Sequence, residues 1–263
     1  MNDRLERYVL DHTDPEGDYL YRLWRATNIH TIHGRMASGH LQGRLLKMLV
    51  MMLRPHTILE VGTFSGYSAL SMAEGLAELD RDNGSMTTGP DTGRLSCPSR
   101  MLYTFEINDE MEDFTRPWIE HSPVAGYIDF RIGDAMVEAP KLGIMFDMAF
   151  VDGDKRTYVE TYETLLPLIN RGGVLLADNT LWDGHVTDPA YDHDQQTQGI
   201  RRFNDHVACD PRADTRRADD YPEKIRLWGK MRLFFSFGNC PNGLRSHSLF
   251  RCLSRFVNPS LSF

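Results

Sequence analysis

FDMAFVDGDK, at residues 146–155, and GGVLLADN, at residues 172–179, decide the fold, because each couples a short apolar run to hard oxygen ligands. In an open α/β sheet, ligands bind just outside the carboxyl ends of the strands. If these two strands are neighbours, the side chains of Asp152, Asp178 and Asn179 converge on one point. Two carboxylates and an amide oxygen suit a hard divalent cation. The two stretches therefore predict a metal site that favours Mg²⁺, with Mn²⁺ or Ca²⁺ as alternatives.

Apolar runs of strand length alternate with helical patterns along most of the chain. This alternation occurs at least five times, which predicts an α/β fold with a mostly parallel sheet and helices on both faces. The predicted strands are Ile58–Val61, Met101–Phe105, Ile128–Ile132 and the two runs above, and the predicted helices are Asp18–Met36, Leu41–Leu53, Tyr67–Leu79, Asp109–Glu120, Thr157–Ile169 and Gln195–Val207.

The composition is that of a globular protein in a reducing compartment. The chain has 263 residues, of which 41% are hydrophobic and 25% charged, and its formal charge is −8. This charge gives no overall attraction to nucleic acid or anionic membranes, and no apolar run reaches the length of roughly 18 residues that a membrane span needs. Residues 1–7 are charged and lack the apolar core of a signal peptide. The four cysteines are scattered, which predicts reduced thiols and a cytoplasmic location.

A strand, a glycine turn and a helix follow one another at Glu60–Gly66, with the sequence EVGTFSG. Glycines let a ligand approach the backbone, and the following helix offers free N–H groups. No Gly-Lys-Ser/Thr follows, so the turn is not a Walker A loop. Phe64 stands where a dinucleotide fingerprint has its middle glycine, which disfavours a pyrophosphate. The carboxylate of Glu60 would repel phosphate but could pair with an ammonium group, as S-adenosylmethionine carries.

Two further strand ends carry polar side chains suited to a nucleoside. Glu106 ends the second predicted strand and suits hydrogen bonding to ribose hydroxyls. It lies 44 residues after Gly62 (106 minus 62), whereas dinucleotide folds place this acid after about 20 residues. The segment 81–100, rich in Gly, Ser, Thr, Pro and Asp, is predicted to be an inserted loop that accounts for the excess. Asp134 and Ala135, after the third strand, could bracket an adenine.

The charge pattern divides the chain at about residue 220. Residues 221–263 carry seven Lys/Arg against one acid, so about +6, and the remainder carries about −14, since −8 minus +6 is −14. We predict one domain over 1–220 and an atypical basic segment over 221–263, in which only Met231–Phe237 has a strand pattern. This segment is explained either by an altered reading frame or by an extension that binds an acidic partner.

Four stretches together carry a family resemblance. The chain resembles the cation-dependent, S-adenosylmethionine-dependent O-methyltransferases of the catechol and caffeoyl-CoA type, especially their small bacterial members. The resemblance spans roughly residues 18–210, about three-quarters of the chain. The matching stretches are Arg35–Gly43, Ile58–Ser68, Phe150–Lys155 and Gly172–Gly184.

Position by position, the resemblance implies roles for individual residues. It makes Asp152, Asp178 and Asn179 metal ligands and places Lys155, beside Asp152, at the position of a general base. Asp183 stands where the plant enzymes contact substrate through an Asn, and Trp182 either lines the substrate pocket or packs. The implied cofactor contacts, together with those suggested above, are Met36, Ala37, Glu60, Gly62, Thr63, Ser68, Glu106, Asp134, Ala135, Asp152 and Asp154.

The resemblance also implies a fold, a reaction and a partner. The fold would be the Rossmann-like class I methyltransferase fold, with seven strands and an antiparallel last strand. The family usually ends with a Leu-Pro-x-x-Asp-Gly segment, which we do not find after Tyr221, so the last strand pair stays open. The expected reaction is metal-dependent methylation of a small vicinal diol by a homodimer. The alternatives are a catalytically impaired S-adenosylmethionine-binding protein and an NAD(P)-dependent oxidoreductase.

Overall fold

The computed structural model describes residues 3–82, 98–212 and 231–235. Within this part of the chain, strands and helices alternate as the sequence predicts. Two compact units are distinguished, Met1–Phe146 and Asp147–Phe263.

The first unit contains three parallel strands in the order β3-β2-β1. Apolar side chains of β1, such as Ile58 and Leu59, are fully buried, as are Leu70 and Leu76 of the following helix. Burying one such side chain stabilises a fold by roughly 1.5–3 kcal/mol. The elements are α1 (Asp3–Asp11), α2 (Asp18–His30), α3 (Gly39–Leu53), β1 (Thr57–Val61), α4 (Tyr67–Asp82), β2 (Met101–Glu106), α5 (Glu112–Glu120), β3 (Ile128–Ile132) and α6 (Ala135–Glu138).

The second unit contains strands in the order β4-β5-β6, with β6 antiparallel to β5. Tyr158 and Tyr162 of the first helix and Phe203 of the second are buried, and both tyrosine rings meet the Phe203 ring edge-on. The elements are β4 (Phe146–Val151, whose first residue belongs to the first unit), α7 (Tyr158–Leu165), β5 (Ile169–Asp178), α8 (Gln195–Ala208) and β6 (Met231–Phe235).

Three predicted helix ends are wrong by three residues or more. The helix predicted over Thr157–Ile169 ends at Leu165, and Ile169 already belongs to β5. The helix predicted over Asp18–Met36 ends at His30, because the backbone of Thr31 is extended. The helix predicted to end at Leu79 continues to Asp82. Its last turn is anchored by Asp80, a buried residue whose carboxylate pairs with Arg100 at 3.1 Å.

The predicted α/β class and its alternation are confirmed, and a strand is present at Met231–Phe235 inside the predicted Met231–Phe237. The described residues contain six strands, so the seventh strand stays a prediction. Residues 81 and 82, predicted to open the inserted loop, belong to α4 instead. Residues 83–97 of that loop, and all of 221–263 except 231–235, lie outside the described residues. In the described chain we find no helix with the length and apolarity that a membrane span requires.

Candidate active site

The ends of β4 and β5 place the predicted metal ligands. Asp152 directly follows β4, and Asp178 is the last residue of β5 and is buried. The two strands are neighbours in the sheet of the second unit, so the condition set by the sequence is met. Asn179 has a left-handed backbone, with φ of 59°, and its N–H donates to the Asp178 carboxylate at 2.7 Å. The chain therefore turns sharply just where the amide side chain follows the acid.

Lys155 is held against the first of these carboxylates. Its ammonium donates to Asp152 Oδ1 at 2.6 Å and to the carbonyl of Gly153 at 2.9 Å. Only 8% of the Lys155 side chain is exposed, and its nitrogen lies 5.1 Å from the centre of the Tyr158 ring. The buried ammonium of Lys155 is thus in direct contact with the acidic residue at the end of β4.

The Tyr158 hydroxyl lies between the ends of β4 and β5. Its hydroxyl lies 3.1 Å from the carbonyl of Val151 and 3.2 Å from that of Asp178, so one donor serves the last residues of both strands. Burial, and secondarily the carboxylates of Asp152 and Asp178, raise the pKa of Tyr158 well above its usual value. The phenol therefore keeps its proton and remains a donor. The sequence indicated only a packing role for this residue.

Asp154, a predicted cofactor contact, is engaged in local structure. Its carboxylate accepts the backbone N–H of Arg156 at 3.0 Å and pairs with the guanidinium of the same residue. This hydrogen bonding to Arg156 lowers the pKa of Asp154. Asp154 is therefore the cap of the short turn that leads into α7, and a ligand contact would have to share its oxygens.

The segment after Asn179 carries both predicted substrate contacts in unusual backbone conformations. Trp182 and Asp183 have φ of 44° and 53°, which residues with a side chain rarely adopt. Trp182 is half-buried and Asp183 is exposed. Hydrogen bonds from Thr197 and then from the Trp182 side chain lower the pKa of Asp194, the N-cap of α8. The Trp182 side chain thus lies near the start of α8, and both alternatives from the sequence, pocket lining and packing, stay open.

Arg201 of α8 holds the same segment, although no sequence motif indicated this role. Its guanidinium donates to the carbonyls of His185 and Asp188 at 3.1 Å and of Val186 at 3.0 Å, and it pairs with Asp192 at 2.6 Å. One turn later, Asn204 donates to the carbonyl of Thr180 at 2.8 Å. These side chains recognise backbone carbonyls, so no motif in the segment could have revealed them.

In the first unit, backbone hydrogen bonds gather the predicted cofactor residues at one edge of the sheet. The N–H groups of Gly62 and Thr63 donate to the carbonyl of Phe105, at 3.0 and 3.2 Å, which joins the ends of β1 and β2. The N–H of Gly133 donates to the carbonyl of Glu106 at 2.8 Å, which joins the ends of β2 and β3. Gly62 has φ of 95°, so the turn after β1 needs a residue without a side chain here.

The two predicted acidic cofactor contacts, Glu60 and Glu106, are both buried. Glu60 accepts a hydrogen bond from Thr104 at 2.6 Å, and Thr104 in turn meets the hydroxyl of Thr63 at 2.6 Å. Glu106 accepts the backbone N–H of Phe64 at 2.7 Å, so it holds the glycine turn in place. Because a carboxylate has about four acceptor sites, Glu106 keeps capacity for further donors.

The remaining predicted cofactor residues lie at helix starts or in the α2–α3 connection. Asp134 caps α6, accepting the N–H of Met136 at 2.9 Å, and Ala135 and Ser68 are buried in the first turns of α6 and α4. Met36 is 60% exposed and lines an open cavity of about 370 Å³, while Ala37 directly follows it. The other residues lining this cavity are Asn28, Thr31, Ile32, His33, Gly34 and Arg35.

A second group of potential ligands, which the sequence did not suggest, lies on α7, on α8 and just after α8. One ligand atom from each of Glu163, His206 and Asp210 lies within 4.8 Å of the others. The guanidinium of Arg212 pairs with both carboxylates at 2.6 Å, so a cationic side chain already sits in this cluster. Its hydrogen bonds lower the pKa of Asp210 to about 2.

Comparison with known proteins gives the same class as the geometry. The O-methyltransferase family model matches residues 11–217. Tricin synthase 1 of Oryza sativa subsp. japonica is 34% identical over 229 residues, which cover 81% of this chain and 82% of that protein. Caffeoyl-CoA O-methyltransferase of Petroselinum crispum is 30% identical over 229 residues, covering 81% and 86%.

Solved structures support the fold. The SAH-bound methyltransferase PaMTH1 of Podospora anserina superposes with a TM-score of 0.73 at 22% identity, covering 90% of this chain and 95% of that one. The O-methyltransferase of Bacillus cereus in complex with SAH gives 0.63 at 26% identity, covering 80% and 87%. The fold is thus that of the class I methyltransferases, as predicted.

This chain belongs to the O-methyltransferase family. The predicted resemblance to O-methyltransferases of the caffeoyl-CoA type is confirmed, and the protein is an O-methyltransferase. The family removes the oxidoreductase alternative. The roles of individual site residues stay predictions.

Proposed function

We propose that this protein transfers a methyl group from S-adenosylmethionine to one hydroxyl of a small vicinal diol, catechol-like or phenolic, at a divalent cation. The observation that carries the proposal is the pair of acidic ends of β4 and β5, with Lys155 bonded to Asp152 at 2.6 Å. The relatives named as caffeoyl-CoA O-methyltransferases support the substrate class, because a caffeoyl group has two adjacent phenolic hydroxyls.

The side chains at these strand ends fit a hard divalent cation. Asp152, Asp178 and Asn179 offer two carboxylates and an amide oxygen, the donor types that Mg²⁺ and Ca²⁺ prefer. The ammonium of Lys155 pairs with the Asp152 carboxylate, so this strand end already holds a positive charge. A divalent ion bound there would lower the pKa of a coordinated hydroxyl and so favour its oxyanion.

Lys155 is proposed to take the hydroxyl proton as the neutral amine, so its ammonium form must first release one proton. The hydroxyl oxygen forms its new bond to the methyl carbon, the carbon–sulfur bond breaks, and the electron pair stays on sulfur as S-adenosylhomocysteine leaves. The proton passes to the Lys155 nitrogen. Burial of Lys155 keeps competing water from this amine. Most of the acceleration would come from holding the oxygen and the methyl group close and aligned.

The first unit is proposed to bind the cofactor. The edge formed by the ends of β1, β2 and β3 offers a glycine turn, the carboxylates of Glu60 and Glu106, and the helix start after Asp134. A carboxylate suits the ammonium group of the cofactor, and Glu106 suits its ribose hydroxyls. The SAH-bound and SAM-bound solved structures of related fold support this cofactor.

The test is a binding titration followed by an assay. S-adenosylmethionine is titrated calorimetrically into chelator-treated protein, and methyl transfer to catechol is then measured with and without Mg²⁺, Mn²⁺ or Ca²⁺. We expect binding and cation-dependent transfer. Asp178→Asn should lower transfer at least tenfold, because one acidic ligand is lost. Asp129→Asn, which alters an acid paired with Arg131 on β3, is the matched control and should leave transfer within about twofold.

Two results would contradict the proposal. If methyl transfer were undiminished after chelation, or in Asp178→Asn, the reaction would not depend on a metal at this site. Cofactor and metal binding without transfer to any diol would instead favour a catalytically impaired S-adenosylmethionine-binding protein. The homodimer and the cytoplasmic location stay predictions.

A further inference from the structure

The hydroxyl of Tyr158 is placed to set the spacing of the two acidic strand ends. It lies 3.1 Å from the carbonyl of Val151 and 3.2 Å from that of Asp178. Val151 directly precedes Asp152, and Asp178 directly precedes Asn179. The carbonyls that share this donor therefore belong to, or adjoin, all the proposed metal ligands.

The ring of Tyr158 is fixed independently of its hydroxyl. It meets the Phe203 ring edge-on, with centroids 5.3 Å apart, and is 1% exposed. The Lys155 ammonium also lies 5.1 Å from the ring centre. Replacing tyrosine by phenylalanine would thus keep the packing and remove one oxygen. The carbonyls of Val151 and Asp178 would then lose their common donor, and the strand ends could separate.

Tyr162 provides a matched control one helical turn away. It is also 1% exposed, and its ring meets the same Phe203 ring edge-on, at 6.1 Å. Its hydroxyl, however, donates to Asp210 at 2.9 Å, in the cluster with Arg212. Tyr162→Phe should therefore affect packing about as much as Tyr158→Phe does, but it removes no hydrogen bond to the ends of β4 and β5.

We propose that Tyr158 is a positioning residue, which fixes the distance between the ends of β4 and β5 and thereby sets the affinity for a divalent cation. The inference rests on the proposed function, because it takes Asp152, Asp178 and Asn179 as the ligands. Residues that orient metal ligands through hydrogen bonds typically change metal affinity by roughly 10–100-fold when they are removed.

The experiment is a direct Mn²⁺ titration, followed by electron paramagnetic resonance of the free ion, on the full chain without substrate. It compares the wild type with Tyr158→Phe, Tyr162→Phe and Asp178→Asn. We expect Tyr158→Phe to weaken Mn²⁺ binding roughly tenfold, Tyr162→Phe to stay within twofold, and Asp178→Asn to lose most of the binding. Thermal unfolding without metal should show similar losses for both tyrosine variants, which separates stability from metal affinity.

A second readout is the Mn²⁺ concentration that gives half-maximal methyl transfer. It should rise roughly tenfold in Tyr158→Phe, with near-normal transfer at saturating Mn²⁺. Wild-type Mn²⁺ affinity in Tyr158→Phe, with binding lost in Asp178→Asn, would overturn this inference alone. Failure of the wild type to bind Mn²⁺, or full binding by Asp178→Asn, would overturn the proposed metal site and the inference with it. Equal weakening by both tyrosine variants would assign the effect to stability and also overturn it.

Discussion

Gly199 of α8 tests how closely the second unit is packed around Lys155. A Cβ added at Gly199 would lie 2.3 Å from the carbonyl oxygen of Lys155 and 2.8 Å from the Cα of Arg156. Ordinary contact begins near 3.4 Å, so α8 and the Lys155 backbone would have to separate by about 1 Å. These are backbone atoms, which cannot rotate away as the end of a side chain can. Gly199→Ala therefore moves either the helix or the proposed general base.

The expected cost of this substitution follows from two opposed effects. Overpacking a close contact costs typically about 1–3 kcal/mol, and the strength of this clash places it at the upper end. Alanine in place of glycine inside a helix returns about 1 kcal/mol. The net loss in the free energy of unfolding should be about 2 kcal/mol, which lowers Tm by roughly 4–8 °C in a chain of this size. Methyl transfer should fall by up to about 100-fold, since a shift of about 1 Å disturbs alignment.

The assay combines urea unfolding with transfer rates measured well below the Tm of the variant. Gly126→Ala is the control, because nothing lies within 4 Å of the added Cβ at that position. It should change the free energy of unfolding by no more than about 0.5 kcal/mol. A Gly199→Ala protein with wild-type stability and wild-type transfer would refute the reasoning, since the close approach of α8 to Lys155 could not then be real.

Two further predictions concern side chains of α8 and the residues just after it. Arg201→Ala should speed limited proteolysis within residues 181–192 and raise the KM for substrate by roughly tenfold, since the guanidinium holds the backbone at 185–188. The neighbouring Arg202→Ala is the control. Equal digestion of the two variants would show that Arg201 does not hold this segment. Hydrogen bonding to Arg212 holds the Asp210 pKa at about 2, below the ordinary 3.8. The carboxylate therefore contributes stability that is present above about pH 4 and is lost as the pH falls toward 2. Asp210→Asn should flatten this pH dependence of the free energy of unfolding in urea. An unchanged pH dependence would contradict the contribution of Asp210.

The sequence was sufficient wherever the deciding interactions are local. β3 has the bounds predicted for it, and α8 differs from its prediction by one residue, because apolar periodicity and an N-cap act within a few residues. The positions of Asp152 and Asp178 at strand ends followed in the same way. The prediction was wrong at the end of α2, where the backbone of Thr31 becomes extended. It was also wrong at the end of α4, which depends on the long-range Asp80–Arg100 pair.

By itself, then, the sequence determined the α/β class, the family and the oxygen ligands at the ends of β4 and β5. The tertiary structure decided what holds those ligands in place: the Tyr158 hydroxyl between two strand ends, the contact of Gly199 with Lys155, and the grip of Arg201 on the segment after Asn179. These contacts join residues 7 to 44 positions apart and involve backbone carbonyls, which every residue has. Side-chain patterns cannot predict such partners, because folding alone brings these carbonyls close to their donors.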